Sequence, residues 1–292
     1  NTNLQVSGQS VDNSGGALQA TQKVAVDAGA RLINSGGSIV AQTAALTGTT
    51  LDNSAGAVKV DTVSLNATDL VNHGGTITQI GTGAMSVNVS GTLDNSGGGT
   101  LQTNSSDLTL APASLVNDGG KITHAGTGTL TLGNGTGSVS NVGGAIASNG
   151  RVVAQSATLN NTSGSISGQT GLSATVGSAL NNTNGKLLSN TDLGITSGTL
   201  ANDGGQISAT TNAMIHAGSM TNLSGSASAS NLSVTADSTL NNSGGKLEAN
   251  QLALTTPNLT NHGGTITQYG SSTMAVNVSG TLDNAAAGVI QT

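Results

Sequence analysis

One arrangement of apolar and polar positions recurs fourteen times along the chain: apolar-x-Asn-x-x-Gly-x-apolar. It begins at Val11-x-Asn13-x-x-Gly16-x-Leu18 and runs to Leu282-x-Asn284. The repeat asparagines are Asn13, Asn34, Asn53, Asn72, Asn95, Asn117, Asn141, Asn161, Asn182, Asn202, Asn222, Asn242, Asn261 and Asn284. Their sequence intervals run from 19 to 24. Two positions before each stands Leu, Val or Met. Three positions after stands Gly in thirteen units, with Ala287 the departure. Five positions after stands Leu, Ile or Val in twelve, with Thr100 and Ala227 the departures. A period in this range marks a solenoid, in which each unit buries its apolar face only against its neighbours.

Within the unit Leu51 to Leu70, apolar residues alternate at Val58/Val60 and again at Val63/Leu65, the period-two signature of strands. The second pair recurs as Leu108/Leu110, Leu130/Leu132, Leu193/Ile195, Leu232/Val234 and Leu252/Leu254. Short strands punctuated by Gly, Asn, Ser and Asp predict a three-stranded coil with tight turns. Weak helix formers dominate throughout, so no helix is expected. Each repeat Asn should lie at a turn, with the Gly three residues later in a conformation other residues resist. Asparagines stacked in identical register predict a ladder of amide hydrogen bonds; ligand contact is the alternative role. Units longer than usual carry extra residues at 81–84, 126–128, 133–138 and 270–273, expected as projecting loops. Pro112 and Pro257 fall four or five residues before a repeat Asn, a shared turn position.

Composition narrows the picture. The chain of 292 residues has 44 Gly, no Cys, Trp or Phe, and one Tyr. A thin core of Leu, Val, Ile and Ala follows. Formal net charge is −6, and the seven Lys and Arg are scattered singly, which excludes a phosphate-binding surface for nucleic acid and a polybasic membrane site. Absent cysteine removes disulfides and thiol chemistry. No apolar run is long enough to span a membrane. The chain starts and stops inside the repeat, and is read as one β-helical segment, 1–292, of a longer protein. Fourteen coils about 4.8 Å apart would make a rod of roughly 65–70 Å.

A longer repeat overlies the first. Asn72-His73-Gly74-Gly75-Thr76-Ile77-Thr78-Gln79 returns nine coils later as Asn261-His262-Gly263-Gly264-Thr265-Ile266-Thr267-Gln268. Residues 71–103 and 260–292 agree at 22 of 33 positions.

Blocks such as Leu51-Asp52-Asn53-Ser54, Leu240-Asn241-Asn242-Ser243-Gly244-Gly245-Lys246-Leu247-Glu248-Ala249 and Ala201-Asn202-Asp203-Gly204-Gly205-Gln206-Ile207 resemble haemagglutinin repeats. These are the repeats of filamentous haemagglutinins and contact-dependent inhibition proteins. The resemblance covers essentially the whole chain. It implies an all-β, right-handed parallel β-helix of about fourteen coils, exported by two-partner secretion through an outer-membrane transporter to the bacterial surface. The implied role is a rigid stalk extending a distal adhesive or toxin region, with a host-cell or target-bacterium receptor engaged by other regions. The alternative is an adhesive face on the solenoid itself, for host cell, glycan or ice, motivated by Thr-x-Thr at Thr76/Thr78, Thr129/Thr131 and Thr265/Thr267.

Catalytic chemistry finds little support. Gly120-Lys121, Gly185-Lys186 and Gly245-Lys246 lack the Ser or Thr that completes a phosphate loop. His73, His124, His216 and His262 are not at metal-ligand spacing, and His73 and His262 are one position copied by the duplication, expected on turn surface. Asp12, Asp52, Asp94 and Asp283 precede repeat asparagines, but the coils between them lack the Asp that calcium stacking requires. Asp118 and Asp203 share a slot. A single Glu and a single Tyr, Glu248 and Tyr269, leave no clustered acids for glycoside cleavage. The expectation is therefore no enzyme, no cofactor and no metal.

Overall fold

The structure is a computed structural model describing residues 1–292. Its regular structure is entirely β-strand, and successive coils pair in parallel. The fold is a parallel β-solenoid of about fourteen turns, divided into two compact units, Asn1–Val152 and Val153–Thr292.

The coil of Asn53 shows the plan of the first unit. Thr50–Asp52 forms the first strand, residues 53–56 the turn, and Ala57–Ala67 runs through the second and third strand positions. Alternation sends Leu51, Val58, Val60, Val63 and Leu65 inward, where full burial of each contributes roughly 1.5–3 kcal/mol. Register stacks each inward position on its counterpart. Leu32, Leu51, Leu70, Leu93, Leu115 and Val139 form one column. Ile39, Val58, Ile77, Leu101, Ile122 and Ile146 form a second.

The second unit repeats the plan with longer strands: Ser226–Asn241 runs through the second and third strand positions of one coil into the first of the next. Leu180, Leu200, Met220, Leu240 and Leu259 stack beneath the asparagines. Leu187, Ile207, Ala227, Leu247 and Ile266 stack beyond the turn. Ala227 thus keeps its place in the column, fully buried, as a smaller occupant.

Two of the sequence departures are register slips. After Asn95 the turn holds one extra residue, and Leu101 rather than Thr100 enters the column between Ile77 and Ile122. After Asn284 the same insertion makes Ile290, not Val289, the partner of Ile266. The expected loops lie outside strands at 81–84, 126–128 and 270–273, and at 133–137; Ser138 already begins the next strand. Both prolines occupy the corner between third and first strands.

Candidate functional site: a buried asparagine ladder

Every repeat asparagine follows the first strand of its coil and opens the turn. In the first unit Asn13, Asn34, Asn53, Asn72, Asn95, Asn117 and Asn141 form an unbroken series. Each Nδ2 donates to the Oδ1 of the next at 2.6–2.7 Å. In the second unit Asn161, Asn182, Asn202, Asn222, Asn242, Asn261 and Asn284 do the same, at 2.7 Å in each step. The same Nδ2 faces two backbone carbonyls. For Asn53 these are Gly56 O at 3.2 Å in its own turn and Thr76 O at 3.3 Å in the next coil. The main chain joins in: Asn53 N–H donates to Val71 O, and Gly56 N–H closes the turn on Asn53 O. All but Asn284 are buried. Only a side chain carrying both donor and acceptor at this length satisfies both directions along the axis. Asp would lack the donor and stack like charges.

The two glycine positions of the turn divide their work differently from the sequence expectation. The left-handed residue is two after Asn, not three: Gly15, Gly36, Gly74, Gly119, Gly143, Gly204, Gly244 and Gly263 all have φ near +60°. Ala55, Ser163, Asn184 and Ser224 hold the same slot at φ 52–55°, so the strain is small enough for a Cβ. The glycine three after Asn has no positive φ except at the slip, where Gly98 takes one and Gly99 takes over its place. This position is glycine for steric reasons. A Cβ on Gly56, Gly75, Gly120, Gly185, Gly205, Gly225, Gly245 or Gly264 would overlap the carbonyl oxygen of the previous coil's asparagine. Coils can approach to ladder distance only if this residue has no side chain.

The flanking acids also find their places. Asp12, Asp52, Asp94 and Asp283 accept, on Oδ1, the N–H two residues on, at 2.8–3.2 Å. Asn160, Asn181 and Asn241 do this in other coils. The slot is a turn cap that Asn and Asp share. For Asp52, burial raises the carboxyl pKa, but the Ser54 bonds and the Arg31 guanidinium at 3.0 Å outweigh it and hold it below the ordinary value. Asp118 and Asp203 reach the following coil, accepting from Val142 N and Leu223 N.

Three histidines lie on the surface. His73 meets Ser96, His216 pairs with Asp237, and His262 pairs with Asp283 at 2.7 Å. The His262 contact helps hold the Asp283 carboxyl below its ordinary pKa. His124 is different. It is fully buried, with Nδ1 2.8 Å from Ser148 Oγ and Nε2 within 3.1 Å of the carbonyls of Ser105 and Ser106, where only a donor is satisfied. No three His, Asp or Glu side chains converge to hold a metal ion.

Sequence reasoning missed Gln79 and Gln268. Both are buried at inward positions, and each fastens one long loop. Gln79 Nε2 donates to Gly81 O and Gly83 O while its Oε1 accepts from Val63 N. Gln268 does the same with Gly270, Ser272 and Leu252. The signal was a polar residue copied at an inward slot of the duplicated block. The Thr-x-Thr pairs do not assemble into one surface. Thr76/Thr78 lie on a second strand beside Ala57 and Lys59, whereas Thr129/Thr131 lie on a third strand.

A coil sealed by a side-chain ladder and stacked on near-copies of itself defines a repeat-solenoid scaffold. Residues 80–134, 125–182, 166–244 and 227–286 match the haemagglutinin repeat, so most of the chain is covered and the protein belongs to the haemagglutinin-repeat family. A tRNA nuclease, CdiA-2, of Burkholderia pseudomallei (strain 1026b) is 58% identical over 171 residues, 58% of this chain. The chain spans 6% of that relative's length. No solved structure matches the chain. The family places it among secreted proteins displayed on the outer surface.

Proposed function

We propose that this chain is a stalk segment of a large secreted surface protein of the contact-dependent inhibition type. It acts as one repeat array over residues 1–292, and its output is distance. The observation that carries this reading is the unbroken asparagine series within each unit, above stacked aliphatic columns. Each coil needs only its neighbours, so coils add length without a change of design, about 4.8 Å for each. The fourteen repeat asparagines serve the scaffold, and this segment has no catalytic role. The nuclease activity in the relative's name would reside outside the region shared with this chain. The segment itself would meet the outer-membrane transporter during export. A distal region would meet the target-cell receptor, and neither nucleic acid nor a membrane span is involved here.

Duplicating the nine-coil block 72–260 in the full-length parent tests this. Secreted fibres should lengthen by about 43 Å in electron micrographs while display is kept. Unchanged length, or coils that bulge out as a separate body, would overturn the stalk reading.

A further inference from the structure

The only tyrosine and the only glutamate of the chain lie side by side. Tyr269 begins the loop fastened by Gln268, and its N–H is fixed to Ala249 O. It is 65% exposed, with Met214 one of the two most exposed large apolar side chains of the chain. The negative charge of the Glu248 carboxylate raises the pKa of the Tyr269 hydroxyl. The two form one end of an open groove of about 330 Å³, lined also by Thr210, Ser228, Ser230 and Asn250. Ser228 and Glu248 are register partners on adjacent coils, and Asn250 Nδ2 donates to Ser230 Oγ at 3.2 Å. The groove therefore offers hydroxyl, amide and carboxylate groups in rows along the solenoid axis, one row per coil, ending on an aromatic face.

The duplicated block supplies an internal contrast. There Ile80 stands where Tyr269 does, fixed by its N–H to Val60 O, and Lys59 and Asp61 occupy the register positions of Glu248 and Asn250. The backbone is the same in both copies, while the aromatic–carboxylate pair is present in one.

We infer that this groove is a binding site for a neutral oligosaccharide lying along the axis, with one ring stacked on Tyr269 and its hydroxyls bonded to Glu248, Asn250 and the serine row. An aromatic face attracts the C–H edges of a sugar ring through its negative quadrupole, and an exposed carboxylate is a strong acceptor for hydroxyls. The coil spacing of about 4.8 Å is close to the length of one pyranose unit. No Lys or Arg lines the groove, and Glu248 would repel sulfate or carboxylate groups, so acidic sugars are disfavoured. The site is independent of the stalk role, which stands whether or not sugar binds.

Tyr269 is also the sole fluorophore, since Trp and Phe are absent. Titrating the full chain with maltose, lactose, cellobiose and chitobiose should give a saturable change in tyrosine emission with at least one of them. Calorimetry with that sugar should show binding weakened about tenfold or more, roughly 1.4 kcal/mol, in Tyr269→Ile and in Glu248→Lys. Both variants reproduce residues that the first copy carries at the same register, so the fold accommodates them. Sulfated lactose should bind more weakly than lactose. No saturable response to any of the four sugars, undiminished affinity in either variant, or preference for the sulfated sugar would overturn the inference.

Discussion

Gly119 and Gly120 are adjacent in one turn, and alanine at each should behave very differently. Gly119 has φ +65° with nothing within 4 Å of a built Cβ. Alanine there meets only the left-handed penalty, about 1–2 kcal/mol, partly offset by the reduced freedom of the unfolded chain, about 0.4–1 kcal/mol. The net cost is about 1 kcal/mol, in keeping with Ala55 at the same slot. At Gly120 a Cβ would overlap the Asn95 carbonyl oxygen and stand 2.7 Å from Asn117 Oδ1. Neither atom is a free side-chain end, because Asn117 is held by Asn95 and Asn141. The coils must part, at an overpacking cost of about 1–3 kcal/mol. At least two hydrogen bonds weaken with them: Asn95 Nδ2 to Asn117 Oδ1, and Lys121 N to Gly99 O, at about 1 kcal/mol each. Gly120→Ala should therefore destabilise by about 3–5 kcal/mol, against about 1 for Gly119→Ala. Guanidinium denaturation followed by far-ultraviolet circular dichroism reads this as the difference between midpoints, or as a separate early transition if the array divides at that turn. Equal midpoints, or a larger loss in Gly119→Ala, would refute the steric assignment.

Asn182→Ala should destabilise by about 1–3 kcal/mol, since Asn202 Oδ1 loses its donor while Asn161 Nδ2 keeps only carbonyl partners; unchanged melting would count against the ladder. The Asp52 pKa is depressed in the folded state, so its contribution is complete above the unfolded value of about 3.9 and is lost as pH falls through the folded value. Carbon-detected NMR titration should place its midpoint below the ordinary carboxylate value, and Arg31→Gln should raise it. Charges at the inward Leu180, Leu200 and Leu240 of the full-length parent should stall chains at the transporter if stacking of emerging coils opposes backsliding; normal export of demonstrably unfolded chains would exclude that coupling.

The sequence determined the solenoid on its own. Strand alternation and the return of Asn once per coil are one-dimensional properties, and a coil that contacts only its neighbours turns them directly into columns and rungs. It also located the long loops and the duplicated block. Tertiary structure decided what depends on the gap between coils. The two glycines of the turn look alike in sequence, but one is set by φ and the other by a carbonyl a full coil away in the chain. The slip after Asn95 looks like a lost apolar position, and the one after Asn284 like a lost glycine, until pairing shows Leu101 and Ile290 in the columns. The inward places of Gln79 and His124 were not legible in the sequence, because a polar side chain carries no apolar periodicity. Their burial is satisfied by carbonyls and hydroxyls that only the folded coils bring within reach. Tyr269 and Glu248 stand well apart in sequence and meet for the same reason: one turn of the solenoid returns the chain to the same face, one coil further along.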